Sequence, residues 1–123
     1  MAAGPSGLYS PYAVALDTQG NVYVADYQNS RVLQFPTASA AGATSGMSAV
    51  SVYGQTDFAS SGPNRGTGAD LASASSMNLP EGLAVDARGN LYVGDSLNNR
   101  VLLFSPGQAS GAQVATRVYG QSY

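Results

Sequence analysis

The sequence contains no cysteine, no histidine and no lysine, and only one glutamate. Without cysteine and histidine the chain cannot form disulfides, thiolate nucleophiles or Cys/His zinc sites. It also lacks the side chain that most often transfers protons near neutral pH. These absences exclude most common catalytic designs, so we predict no catalytic residue, no metal ligand and no cofactor, and a protein that is not an enzyme.

Charge is also scarce, since only 10% of the residues are charged, and the chain has five arginines and seven acidic residues. Binding to a phosphate backbone needs several clustered cations, so no nucleic-acid partner is expected. No run of about eighteen apolar residues occurs, which excludes a membrane-spanning helix. Residues 1–7 lack the basic and apolar regions of a signal peptide. The compartment is not fixed by these features, although the Ser/Thr/Tyr-rich, cysteine-free composition favours an extracellular protein.

Two segments of the chain repeat one another. Residues 11–35 and 80–104 are identical at 13 of 25 aligned positions, and Val-Tyr-Gly-Gln recurs at 52–55 and 118–121. In each copy, apolar residues alternate with polar ones or form short β-branched and aromatic runs between Gly-Asn and Asn-rich turns. The pattern predicts an all-β fold of two four-stranded antiparallel units, with strands over 12–17, 21–26, 31–35 and 49–55, and over 81–86, 90–95, 100–104 and 113–121.

The repeated motif has the form Pro-x-Gly-x-Ala-x-Asp-x-x-Gly-Asn-x-Tyr-Val-x-Asp-x-x-Asn-x-Arg-Val-x-x-Phe. The second copy fits it fully, whereas the first has Ala13 in place of its first glycine. This motif resembles the NHL repeat, a β-propeller blade, and Gly-Gln-Thr-Asp-Phe at 54–58 resembles the long-linker repeats of some bacterial NHL proteins. The resemblance divides the chain into a leading linker (1–10), blade 1 (11–55), an inter-blade linker (56–79), blade 2 (80–121) and a tail (122–123).

Two blades cannot close a propeller, which typically needs about four to eight. Either the chain is a piece of a longer propeller, or it recovers the missing contacts from further copies of itself, and both can hold. The expected partner is the chain itself. Because NHL domains are typically six-bladed, the resemblance implies three chains in one ring, joined by a heterologous interface that closes by threefold rotation. The same contact without closure would give a filament.

Six charged positions recur in both units. They are Asp17, Asp26, Arg31, Asp86, Asp95 and Arg100. The first aspartate of each unit precedes a Gly-Asn turn, which predicts an Asx-bonded turn, because a calcium loop needs several more oxygen ligands in close succession. A site used once should not recur identically, so we predict that the second aspartate and the arginine form structural ion pairs near the blade interface.

The tyrosines form two groups. Those at matching strand positions are predicted to pack in the core or between blades: Tyr23, Tyr53, Tyr92 and Tyr119. The others do not recur, and exposed tyrosine offers a large contact area at low entropy cost. The predicted partner surface therefore consists of Tyr9, Tyr12, Tyr27 and Tyr123.

The inter-blade linker is longer than ordinary blade connections. We predict either a short helix near residues 69–75, held onto the blades by Phe58 and Leu71, or a segment that merely spans from one blade to the next.

The function predicted from the sequence is that of a noncatalytic propeller module that self-associates and acts as a scaffold or as a protein- or ligand-binding surface. One alternative is a subunit of an extracellular structural fibre built head to tail. Another is a metal-dependent lyase or lactonase, suggested by enzymes of a related six-bladed fold. The absence of histidine and the single glutamate disfavour the enzyme, because such sites use histidine or clusters of acidic side chains.

Overall fold

A computed structural model of the chain describes residues 3–37, 45–66 and 72–120. Each repeat forms one four-stranded antiparallel sheet whose strands follow chain order. The first sheet contains β1 (Pro11–Leu16), β2 (Val22–Asp26), β3 (Arg31–Phe35) and β4 (Ser51–Tyr53), and the second contains β5 (Pro80–Val85), β6 (Leu91–Asp95), β7 (Arg100–Phe104) and β8 (Arg117–Gly120). The all-β fold of two four-stranded antiparallel units is confirmed.

Equivalent turns connect the strands of the two sheets. The β1–β2 and β5–β6 turns each contain a glycine with positive φ, Gly20 at 84° and Gly89 at 86°. Short 3₁₀ turns, Tyr27–Asn29 and Ser96–Asn98, join the second and third strands of each sheet. Each 3₁₀ turn is followed by one residue in the left-handed region, which reverses the chain into the next strand.

The main core lies between the sheets. One face of the first sheet packs against one face of the second, with Met77 of the inter-blade linker between them. The buried members of this core are Tyr23, Val32, Tyr53, Met77, Leu91, Val93, Leu102 and Phe104. A smaller cluster of Leu33, Ala49 and Val52 lies on the other face of the first sheet, under Leu8, Phe35 and Phe58.

The first strands of the two sheets, β1 and β5, lie next to one another. The sheets are therefore arranged as neighbouring blades whose inner strands adjoin, as in a propeller.

The last strand of each blade is shorter than the sequence predicts. In the second blade the predicted strand covers 113–121, but β8 begins at Arg117. The preceding residues bond elsewhere: the Gln113 side chain donates to Ser51 Oγ (2.7 Å), and Ala115 N–H donates to Ala74 O (2.8 Å). Because these groups bond Ser51 and Ala74 instead of β7, their residues do not extend β8.

The helix predicted near 69–75 falls partly outside the described residues, as does its anchor Leu71. Residues 72–75 form no helix. The carbonyls of Ser73 and Ser76 instead accept hydrogen bonds from the Arg100 guanidinium, at 2.6 and 3.0 Å. Phe58 does pack against the first blade, as expected. Across the described segments, no helix is long and apolar enough to cross a membrane.

Candidate functional site

A buried ion pair anchors the first blade to the segment that precedes it. Asp26 and Arg31 are both fully buried, and Arg31 Nε donates to the Asp26 carboxylate at 2.7 Å. The same carboxylate accepts the Asn29 amide (2.8 Å) and the Tyr9 backbone N–H (2.7 Å). The remaining Arg31 nitrogens donate to backbone carbonyls, including that of Gly7 at 2.7 Å. Because its partners are all internal, this pair holds the chain together and offers nothing to a ligand.

The second blade contains a copy of this network. Arg100 Nε donates to Asp95 at 2.8 Å, and the carboxylate also accepts the Asn98 amide (2.7 Å) and the Asn78 N–H (2.8 Å). The other end of Arg100 bonds the carbonyls of residues 73 and 76. The end of the inter-blade linker thus plays the same part for blade 2 as residues 4–9 play for blade 1.

The first aspartate of each blade closes the β1–β2 or β5–β6 turn. Asp17 accepts the backbone N–H groups of Gln19 (2.9 Å) and Asn21 (3.0 Å), the Asn21 amide (2.9 Å) and the Tyr23 hydroxyl (3.3 Å). Burial acts to raise the pKa of Asp17, but these hydrogen bonds outweigh it and lower the pKa. With its oxygens engaged in the turn, Asp17 forms an Asx-bonded turn instead of a metal loop.

Asp86 makes the corresponding bonds to Arg88, Asn90 and Tyr92. Its pKa is lowered chiefly by the Asn90 amide. No group of three or more acidic residues capable of holding a metal occurs within residues 3–37, 45–66 and 72–120. The acidic residues of the described chain are thus dispersed, each committed to its own local structure.

Two of the four tyrosines predicted as a partner surface, Tyr12 and Tyr27, contact one another. The rings of Tyr12 and Tyr27 stack, with centroids 4.0 Å apart and planes 10° apart. Burial, followed by the proximity of Tyr12 and Glu81, raises the pKa of Tyr27. Tyr9 is also exposed, and it lies close to Tyr12 in the sequence. Tyr123 lies outside the described residues, so the stack is the part of the predicted surface that the structure brings together.

The more extensive exposed surfaces are the outer faces of the two blades. We define the first open face as the side of blade 1 that turns away from blade 2, formed by Val14, Leu16, Val22, Val24 and Phe35. Val14 is 66% exposed and Leu16 is 62% exposed. Their repeat equivalents, Leu83 and Val85, pack against the inter-blade core. The first open face therefore matches the half of the interface that blade 2 supplies.

We define the second open face as the side of blade 2 that turns away from blade 1, formed by Tyr92, Val101, Leu103 and Tyr119. Tyr119 is 47% exposed, whereas its equivalent Tyr53 is 7% exposed in the inter-blade core. Val101 is 37% exposed, whereas its equivalent Val32 is fully buried. This face therefore matches the half of the interface that blade 1 supplies.

A mostly apolar pocket opens on the first open face. Its volume is about 330 Å³, and its lining includes Leu8, Val22, Phe35 and Met47. At the corresponding place inside the chain, Phe104 meets Tyr53 edge to face, with ring centroids 5.3 Å apart and planes at 69°. The pocket thus lies where a tyrosine of a preceding blade would contact Phe35.

Polar contacts join the two blades along the outer edge of β4. Val52 N–H donates to Ser110 Oγ at 3.0 Å, and Gly111 N–H donates to Val52 O at 2.9 Å. In the linker, the Asn98 amide donates to Asn64 Oδ1 at 2.8 Å. Ser110, Gly111 and Asn64 lie outside the repeated motif, so the repeat did not mark these contacts, although the Ser-Gly dipeptide before each last strand was a usable signal.

A larger polar cleft of about 630 Å³ lies between the turns of the two blades, bordered by Asp17, Gln34 and Arg88. Its best acceptor is already engaged, since Asp17 is bonded within its own turn. The open faces are therefore the stronger candidates for a functional surface.

The NHL repeat family matches residues 8–35 and 77–104, which contain β1–β3 and β5–β7 together with the residues that bond the buried aspartates. No curated protein matches the chain. Each match covers the first three strands of one sheet, and the two matches start 69 residues apart, as β1 and β5 do. The chain therefore contains two NHL repeats, and each of them forms a blade of a β-propeller.

Proposed function

We propose that the chain is a noncatalytic propeller module that binds further copies of itself head to tail and so supplies a scaffold. One observation carries the proposal: each open face repeats one half of the interface that the two blades already form with each other. A second open face placed against a first open face would reproduce the internal contact with equivalent residues. This contact is heterologous, because the two surfaces that meet are different.

The central contact of this assembly is expected between Tyr119 and Phe35. Tyr53 and Phe104 make the equivalent contact inside the chain. Tyr119 of one copy would enter the apolar pocket of the next copy and lose much of its 47% exposure. Aromatic pairs of this geometry contribute about 0.5–1.5 kcal/mol beyond the area they bury, so Tyr119 is the side chain on which association should depend most.

Three copies would supply six blades, the usual number in NHL propellers, and would close by threefold rotation. If the rotation per copy does not close, the same contact builds a fibre. Absolute mass from light scattering across a range of concentrations separates these outcomes. We expect three times the 12.5 kDa chain mass for a ring. A chain that stays at one chain mass at every concentration contradicts the proposal.

Two blocking variants test whether the contact is head to tail. Val14→Arg places a charge on the first open face, and Tyr119→Arg places one on the second. Both positions are exposed in the single chain, so the fold should survive. Burying an unpaired charge costs several kcal/mol, so each variant alone should lose association by at least about 100-fold.

A mixture of the two variants is the decisive sample. Each variant retains one intact face, so a heterologous contact predicts a 1:1 complex of twice the chain mass and nothing larger. An isologous contact would instead let one of the variants dimerise alone. Leu97→Arg is the matched control, because Leu97 is an exposed apolar residue that belongs to neither open face. It should associate as the unaltered chain does.

A further inference from the structure

Inside the chain, the outer edge of β4 is capped by a two-residue turn from the other blade. Val52 directs both its N–H and its C=O away from β3. The N–H donates to Ser110 Oγ (3.0 Å), and the C=O accepts from Gly111 N–H (2.9 Å). Gly111 has φ 77°, and a Cβ there would collide with the carbonyl of Thr56. The Ser110–Gly111 turn therefore fits the β4 edge closely.

Within the part of the chain that the structure describes, the equivalent edge in blade 2 has no such cap. Val118 pairs with Leu102 in β8 as Val52 pairs with Leu33 in β4. Among the described residues, no group bonds the outward N–H or C=O of Val118. An uncovered strand edge readily accepts hydrogen bonds from another chain, and sheets usually cover such edges.

Blade 1 carries a turn of the same kind as Ser110–Gly111. Gly46 has φ 76°, and Ser45 precedes it. Each turn is followed by an alanine whose N–H forms the same kind of hydrogen bond. Ala49 N–H donates to Pro5 O (2.7 Å), and Ala115 N–H donates to Ala74 O. One residue fewer separates the glycine from the alanine in blade 1.

The surroundings of the two glycines differ. No atom lies within 4 Å of a Cβ added at Gly46, whereas Gly111 is in close contact with Thr56. The turn in blade 1 therefore has free space around its glycine, whereas the corresponding turn in blade 2 contacts the neighbouring blade. Gly46 also borders the apolar pocket of the first open face, so the turn and the pocket belong to one surface.

We infer that the Ser45–Gly46 turn of one copy caps the β8 edge of the preceding copy, with Ser45 Oγ accepting from Val118 N–H and Gly46 N–H donating to Val118 O. The inference rests on the proposed head-to-tail association and adds a strand-edge contact to it. The contacts inside the chain indicate the same orientation, because blade 2 both caps the β4 edge and covers Tyr53 of blade 1. The occupant of the open edge is therefore a second copy of this chain.

Amide hydrogen exchange, resolved residue by residue by NMR, tests the edge contact. The assembled chain is compared with the Val14→Arg variant, whose substitution lies far along the chain from β8. We expect the Val118 amide to exchange at least about tenfold more slowly in the assembly, because a bonded amide must open before it exchanges. The Val52 amide is the internal control, since its bond to Ser110 lies within one chain and should protect it equally in both samples.

A pair of serine variants gives a second readout. Ser45→Ala removes the acceptor and should weaken association by about 2- to 10-fold, the usual worth of one hydrogen bond. Ser48→Ala is the matched control, because Ser48 is an exposed serine of the same loop and should associate normally. If the chain assembles while Val118 stays unprotected and Ser45→Ala is silent, the edge contact is wrong and the face contact stands. A chain that never assembles overturns both.

Discussion

The two blades contain equivalent residues in opposite surroundings. Tyr53 and Val32 of blade 1 are buried, whereas their equivalents in blade 2, Tyr119 and Val101, lie open. On the other face the relation is reversed, and Val14 is exposed where its equivalent packs against the core. The repeat thus determines which residues each blade face presents, and the neighbouring blade determines whether they are buried. In repeat architectures this division is general, because each unit contacts only its neighbours.

The blades do not differ in their internal anchors. Each has one buried Asp–Arg pair, at 2.7 Å in blade 1 and 2.8 Å in blade 2, with the same bonds to the segment that precedes the blade. Substitutions at the anchors should therefore act alike in both blades, and substitutions on the faces should not.

The largest effect is expected at the anchors. Asp26→Asn and Asp95→Asn each leave a buried arginine without its counter-charge, which should lower the free energy of unfolding by about 3–5 kcal/mol. Urea denaturation should show nearly equal losses for the two variants. Asp57→Asn is the control, because Asp57 is an exposed loop residue whose hydrogen bonds among the described residues go to Ser60 and Ala59, and the unfolding midpoint of this variant should not move. A large loss in one blade and none in the other would contradict the equivalence of the anchors.

The faces should respond unequally. Phe104 is buried between the blades, whereas its equivalent Phe35 is only half-buried. In the Tyr119→Arg background, which keeps the chain monomeric, Phe104→Ala should cost about 3–5 kcal/mol and Phe35→Ala clearly less. Urea denaturation at matched concentrations measures both. Equal losses would mean that Phe35 is already covered in the single chain.

Alkaline unfolding should separate Tyr23 from Tyr92. Burial, with the nearby Tyr53 and Asp17, raises the pKa of Tyr23 above its ordinary value of 10.0. The stability that this shift contributes is complete below pH 10 and is lost as the pH rises through the folded-state pKa. Tyr23→Phe cannot titrate, so its unfolding midpoint should fall less steeply with pH above about 10.

Tyr92 provides the matched comparison. Burial and Asp86 also raise its pKa, but its ring is only half-buried on the second open face. In the single chain, Tyr92→Phe should flatten the alkaline loss less than Tyr23→Phe does. An equal change in the two variants would show that the neighbouring blade has no influence on titration.

The smallest effect is expected at the turn aspartates. The pKa of Asp17 is lowered in the folded chain, so the stability it contributes is present above its ordinary value of 3.8 and is lost as the pH falls through the folded-state pKa. Asp17→Asn should therefore reduce the slope of the unfolding midpoint against pH below about 4. Asp86→Asn should act alike, because its bonds are equally local. If both variants keep the steep loss of stability at acidic pH, other carboxylates must cause that loss.

The fold followed from the sequence because it depends on local patterns. Alternating apolar residues and the Gly-Asn turns determine each meander, and the 25-residue self-similarity determines that there are two. The strand β3 agrees with the predicted 31–35, since Arg31 must reach the Asp26 carboxylate and Phe35 ends the apolar run. The faces of each strand follow from the same alternation.

The contacts between the blades did not follow in the same way. The left-handed conformations of Asn64 and Arg65 and the fit of Gly111 beside Thr56 depend on groups far apart in the sequence. No periodicity marks such positions. The sequence likewise favoured the non-repeating tyrosines as the partner surface, whereas Val14 and Leu16, the most exposed apolar side chains of blade 1, belong to the repeated pattern.

The Tyr12–Tyr27 stack has no counterpart in blade 2, where the equivalent positions hold Glu81 and Ser96, joined by a 2.8 Å hydrogen bond. Both pairs lie at the inner strands, around the axis that a closed propeller would have. A ring of three copies would therefore look six-bladed in its backbone but only threefold along its bore, where aromatic pairs and carboxylates would alternate. The bore of such a ring would carry three carboxylates separated by tyrosine rings, because only one blade of each copy has a glutamate at this position.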